Sequence, residues 1–225
     1  MTDSTGASLG GGLRDGLQAG LKSLGLDLSE QQVAQLLSYI DLIAKWGKVY
    51  NLTAVRQPSE MLTHHLLDSL AVIAPLRAAA QGRAIKLLDV GSGAGLPGVV
   101  IAICCPDMTV HCVDTVAKKA AFIQQVAVSL QLSNLKGVHE RVERLAGHYD
   151  IVTSRAFASL EDFVTLSSGT LAAEGVWLAM KGKHPAEEIA NLPAGIDVFH
   201  VEQLKVPGLD ADRCLIWMKR AAAVT

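Results

Sequence analysis

From residue 85 onward, short runs of β-branched and apolar residues alternate with stretches of helical spacing, and few folds accept that alternation. The β-type runs lie at residues 85–90, 109–114, 135–138, 151–154 and 176–181, with helical stretches near 97–104, 117–130 and 160–171. A strand that returns through a helix lies parallel to its predecessor, so a parallel sheet is expected through residue 180. Two further runs, 196–201 and 214–219, are separated only by a turn region at Pro207-Gly208. They are expected to pair antiparallel, completing a mostly parallel, seven-stranded, Rossmann-like α/β sheet with an antiparallel last strand.

The chain before residue 83 has a different texture. Val33, Leu36, Leu37, Ile40, Ile43 and Ala44 follow helical spacing, Ser29 and Gln32 form a capping-box start, and Trp46-Gly47 is expected to end that helix. A second helix is expected after Pro58, with Leu62, Leu66, Leu70 and Ile73 on one stripe, ending before Pro75 or shortly after it. Residues 1–12 are rich in Gly, Ser and Thr and have little to bury, so they read as a disordered tail. The expected organisation is a tail at 1–12, a helical cap at 13–82 and a Rossmann-like domain at 83–225.

A 225-residue chain can bury a large core without disulfide or metal staples. Its net charge of −2 attracts neither acidic nor basic partners as a whole, so any nucleic-acid contact rests on local patches. The apolar run near residues 99–105 is too short to span a bilayer and the start carries no signal pattern, which points to the cytoplasm. Cys104, Cys105, Cys112 and Cys214 show no CxxC pairing and read as reduced, buried hydrophobes. No metal site is expected.

Residues 88–98, LDVGSGAGLPG, leave the first β run and enter a helix, as a turn that binds an adenosine cofactor must. Gly91 opens the turn, and Gly93, Gly95 and Gly98 satisfy G-x-G-x-x-G. Asp114 ends the second run, where a carboxylate can accept from ribose hydroxyls or cap the next helix. The glycines alone admit a dinucleotide as well as a sulfonium cofactor. Asp89, at the end of the first strand, is expected to face the cofactor's amino-acid or sulfonium end and so tilts the choice toward the cation, S-adenosylmethionine.

Five blocks carry a resemblance: WGKVYNLT at 46–53, HLLDS at 65–69, DVGSGAGLPG at 89–98, SRAFA at 154–158, and Lys181-Gly182. Together they resemble the bacterial 16S ribosomal RNA small-subunit methyltransferase G family (glucose-inhibited division protein B), over nearly the whole chain from about Leu28. The resemblance implies a class I S-adenosylmethionine-dependent methyltransferase fold. It further implies methylation at N7 of a guanine in the 530-loop region of 16S rRNA, with the 30S subunit or its precursor as substrate and a monomeric enzyme. Carried over by position, Gly91, Leu96, Asp114, Val142, Glu143 and Arg155 would contact the cofactor. Gly47 stands where relatives usually carry Asn, which puts any role there in doubt.

Guanine N7 has a free lone pair, so its methylation needs no general base, and the sequence offers no obvious catalytic dyad. Ser154-Arg155-Ala156-Phe157 also stands where amine methyltransferases carry an Asn/Asp-Pro-Pro-aromatic tetrad. Arg155 is the candidate catalytic positioner, clamping either the cofactor carboxylate or an RNA phosphate unless it is a plain surface ion pair. Phe157 can stack on the base or pack in the core. His64, His65 and Asp68 share a helical face and are expected to form a hydrogen-bond pair tying cap to sheet. Candidate RNA contacts are Lys45, Lys48, Arg56, Lys118, Lys119, Arg141, Lys181, Lys183 and His184. The competing readings are a methyltransferase for small molecules or proteins, a cofactor-binding regulator, and a nicotinamide enzyme.

Overall fold

The computed structural model describes residues 5–50, 52, 53, 55, 57–157 and 159–222, with backbone alone at 5–10 and 48–50. Two long helices, α1 (Thr5–Ser23) and α2 (Glu30–Tyr50), lead into α3 (Pro58–Met61), a π-helical segment (Leu62–Leu67), α4 (Asp68–Leu70) and α5 (Ile73–Ala80). The sheet and its crossovers follow as β1 (Lys86–Val90), α6 (Gly98–Cys104), β2 (Thr109–Asp114), α7 (Ala117–Ser129), β3 (Leu135–His139), β4 (Tyr149–Arg155), α8 (Leu160–Ser167), β5 (Leu171–Lys181), α9 (Ala186–Ala190), β6 (Ile196–Leu204) and β7 (Arg213–Arg220).

The strand order is β3-β2-β1-β4-β5-β7-β6. Neighbours from β3 to β5 run parallel, and β7 lies antiparallel to both β5 and β6. Strand side chains alternate faces, which explains the two apolar clusters. Leu87, Val110, Ile151, Leu178 and Leu215 point to the face covered by α1, α2, α6 and α7, whereas Leu88, Val113, Val152, Trp177 and Ile216 point to the face covered by α8. The chain order reverses between β1 and β4. Open α/β sheets bind ligands at such a reversal, beyond the carboxyl ends of the strands.

The N-terminal region departs from its sequence reading in three places. A helix begins at Thr5, inside the expected tail, and Leu17 and Leu21 bury with Gly20 so close to Leu67 that a Cβ there would lie 2.4 Å from Leu67 Cδ2. Gly47 does not end α2, which runs on to Tyr50. The helical run after Pro58 stops at Leu70, before Pro75 as expected, but a new helix, α5, begins at Ile73 and takes Pro75 into its first turn, where its missing N–H costs no hydrogen bond. The capping box forms as read: Gln32 N–H donates to Ser29 Oγ (3.3 Å) and Ser29 N–H to Gln32 Oε1 (3.0 Å). Farther along, β5 starts at Leu171 rather than at 176.

Candidate active site

The glycine turn lies where the sheet order reverses. Gly91, Gly93 and Gly95 have φ of +66°, +59° and +91°, values that a Cβ disfavours. Gly91 N–H donates to Val113 O at 2.9 Å, fastening the turn to the end of β2. Gly98 meets a different constraint: a Cβ there would lie 2.3 Å from Cys112 Sγ and 2.8 Å from Asp89 Oδ2, so α6 can start against the strands only without a side chain. Tyr39, fully buried on α2, donates its hydroxyl proton to Ala94 O at 2.7 Å and so grips the turn from the helical region.

Two small cavities flank the turn and share Gly91. One, of about 130 Å³, is lined by Gly91, Asp114, Val142, Glu143 and Phe157 among others. Asp114 is buried at its rim, accepting from Gly93 N–H (3.0 Å) and Val116 N–H (2.9 Å), with Lys119 Nζ 3.6 Å away. It thus joins the glycine turn to the entry of α7, and each oxygen keeps a further lone pair. Val142 and Glu143 open a single 3₁₀ turn after β3. Hydrogen bonding from its own backbone N–H, and then from Arg141, holds the Glu143 carboxyl below its ordinary pKa.

The second cavity, of about 200 Å³, is lined by Leu52, Thr53, His65, Ser92, Leu96 and Arg155, together with the glycine turn. Arg155 ends β4 and is followed by Ala156 at φ +59°, an unusual backbone for a residue with a Cβ and one that clusters at functional sites. Its Nη1 donates to Asp68 Oδ2 (2.9 Å) and to His64 O (3.1 Å), while Arg213 Nε donates to the other Asp68 oxygen at 2.7 Å. Asp68 therefore ties cap to sheet through two guanidiniums, not through the histidine expected from the sequence. His64 and His65 lie in the π-helical turn just before Asp68, a kind of turn that recurs at functional sites. His65 Nε2 instead meets Thr53 Oγ1 at 2.6 Å, and burial, then the Arg155 charge, lowers its pKa and favours the neutral ring. Among the described residues, Ser92 Oγ and His65 Nδ1 are buried without a hydrogen-bond partner on the wall of this cavity, as a site built for a polar ligand end would leave them.

Other sequence candidates fall elsewhere. Asp89 lines neither cavity: it is fully buried beneath the turn, accepts from Gly98 N–H at 2.8 Å, and burial pushes its pKa up to about 7. A strand residue just before the turn points into the sheet face under α6, so this carboxylate supports the turn and does not face a cation. Gly95 is likewise packed inward, against Val99 and Ile123. Lys181 is mostly covered and pairs with Glu188 at 2.8 Å, and Arg141 pairs with Glu143 at 3.1 Å. Lys45, Lys118, Lys183 and His184 are exposed, whereas Arg56 and the Lys48 side chain lie outside the described residues. Phe157 lines the first cavity and packs 5.8 Å from the Phe163 ring, in keeping with the core reading given to it. Among the described residues the four cysteines are free and buried, no group of three His, Cys, Asp or Glu could hold a metal, and no helix is long and apolar enough to cross a membrane. Tyr39 and Arg213 were missed. The only available signal for Tyr39 was its hydroxyl on an otherwise apolar helix stripe, and for Arg213 there was none.

Solved structures share this architecture at low identity. TrmN from Thermus thermophilus matches with a TM-score of 0.55 and 16% identity, over 71% of this chain and 53% of that one. The coclaurine N-methyltransferase bound to N-methylheliamine and SAH matches at 0.54 and 13%, over 88% and 73%. Sequence comparison reaches further. The ribosomal RNA small subunit methyltransferase G of Paracidovorax citrulli is 63% identical over 90% of this chain and 88% of its own length, and that of Polaromonas sp. (strain JS666) is 63% identical over 95% and 96%. The family model described as GidB, rRNA small subunit methyltransferase G, matches residues 32–216, a span that holds the glycine turn, both cavities and the Asp68 ion-pair cluster. The chain belongs to the rRNA small subunit methyltransferase G family.

Proposed function

We propose that this protein transfers a methyl group from S-adenosylmethionine to N7 of a guanine in the 530-loop region of 16S rRNA, acting as a monomer in the cytoplasm on the 30S subunit or its precursor. The observation that carries the reading is the pair of cavities joined at Gly91, one ending on Asp114 and the other on Arg155. When bound, S-adenosylmethionine supplies an electrophilic methyl on sulfur. Asp114 would take the ribose hydroxyls, and Val142 and Glu143 the adenine side. Ser92, Gly93 and Leu96 would face the amino-acid end, and Arg155 would hold that carboxylate or an RNA phosphate through its planar fork. Residues 13–82 act as the cap on the catalytic domain at 83–225, bringing Thr53 and His65 to the cleft. Guanine N7 gives up no proton on attack, so a neutral His65 that takes none agrees with this chemistry. Lys45, Lys118 and Lys183, which are exposed, and Lys119 are the basic residues offered to the RNA backbone, with Lys48 and Arg56 as further candidates by sequence.

The test is mass-spectrometric mapping of 7-methylguanosine in 16S rRNA from cells with and without the protein. Loss of the mark from the 530-loop region in the deletion, restored by the intact gene, is the expected result; an unchanged map overturns the assignment.

A further inference from the structure

We infer that Tyr39, on the N-terminal helix α2, is a positioning residue for the methyl donor: its hydroxyl bond to Ala94 O fixes the shape of the glycine turn that both cavities share. The inference rests on that turn being the donor site. Ala94 lies on the wall of the Arg155 cavity, between Gly93 and Leu96. The phenol is fully buried and its O–H makes one hydrogen bond, at 2.7 Å, to a carbonyl far away in sequence. A Cβ on Gly95 would lie 3.3 Å from the same oxygen, so phenol and turn are fitted to each other without slack. A turn with three positive-φ residues has few internal bonds to hold it, namely Gly95 N–H and Leu96 N–H to Ser92 O, and outside anchors decide its shape. Four of those anchors come from the sheet: Val113 O accepts from Gly91 N–H and Ser92 N–H, Asp114 from Gly93 N–H and Asp89 from Gly98 N–H. The bond to the Ala94 carbonyl comes from the cap. The cap thus takes part in holding the donor as well as in roofing the cleft.

Gln35, one turn earlier on α2, provides the control because its Nε2 donates to Leu130 O at 2.8 Å, well away from the turn. Tyr39→Phe and Gln35→Ala each remove one side-chain-to-backbone bond from the same helix. Binding of S-adenosylhomocysteine is measured by calorimetry without RNA, beside KM and kcat on 30S subunits and thermal melting. Tyr39→Phe is expected to weaken binding about 5- to 10-fold, as loss of one buried hydrogen bond does, and to raise KM for the donor. The kcat at saturating donor and the KM for the subunit should stay near wild type. Gln35→Ala should lower the melting temperature and leave donor binding unchanged. Unchanged affinity in Tyr39→Phe, or an equal loss in Gln35→Ala, overturns the inference. Absence of binding by the wild-type chain overturns it together with the donor-site reading, whereas binding without methylation of 16S rRNA overturns only the acceptor assignment.

Discussion

The two ends of the sheet are built on opposite plans. At the amino ends of the parallel strands lies a groove of about 850 Å³, lined by Ala74, Pro75, Ile151, Val176, Phe199 and Trp217 among others. At the carboxyl ends the cavities measure about 130 and 200 Å³ and are walled by a bent backbone, a buried carboxylate and a half-buried arginine. The larger space is the one without the glycine turn. Its walls mix alanines and strand residues with the charged side chains Arg83, Asp150, Glu174 and Glu202, and Phe199, 46% exposed, lines it too. The smaller spaces gather backbone N–H groups, Asp114 and Arg155 because every parallel strand delivers its end there. Room alone does not mark a site; converging, preorganised polar groups do.

Substitutions at the two ends can break this contrast. Arg155→Ala has the largest expected effect, a loss of methyl transfer to 30S subunits of about 100-fold or more, since it removes a positioning group from the reacting end. Asp68 would keep Arg213, so the circular-dichroism melt should move far less than the activity. Near-normal turnover would take Arg155 out of the site. Gly98→Ala comes second: its Cβ must displace Cys112 or Asp89, with an expected cost of about 1–3 kcal/mol in urea unfolding and weaker donor binding. A variant as stable as wild type would show that α6 can slide and that the turn is looser than it looks. Phe199→Ser at the other end should change stability by roughly 0.5 kcal/mol, as exposed positions do, and leave methyl transfer unaltered. A clear fall in turnover there would erase the distinction between the two ends.

Much of the carboxyl-end plan is written locally. Alternating apolar residues set which face each strand buries, so Leu87 and Leu88 enter opposite clusters as their order requires. The glycines of the turn, the acid closing β2 and the capping box at Ser29 are likewise short-range signals, because each answers a backbone need within a few residues. The blocks around Trp46, His65 and Ser154 place the chain in its family. Local signals misled where a residue type has two uses. Gly47 reads as a stop yet stays helical, Pro75 marks the end of one helix and also lies in the first turn of the next, and a Gly- and Ser-rich start becomes helix because Leu17 and Leu21 have somewhere to bury.

By itself, then, the sequence determined which segments become strands, which of them pair parallel and where the glycine turn lies, since periodicity and steric permission are properties of neighbouring residues, while the class of cofactor came from the resemblance carried by its separate blocks. Only the tertiary structure decided who holds that turn. Asp89 was turned inward as a support, Asp68 was given to Arg155 and Arg213 rather than to a histidine, and Tyr39 was brought from the cap onto Ala94. Those bonds join residues 9, 87, 145 and 55 positions apart. A local pattern states that a polar group will be buried, but its partner is set by how helices and sheet pack, where the cost of leaving it unpaired is met.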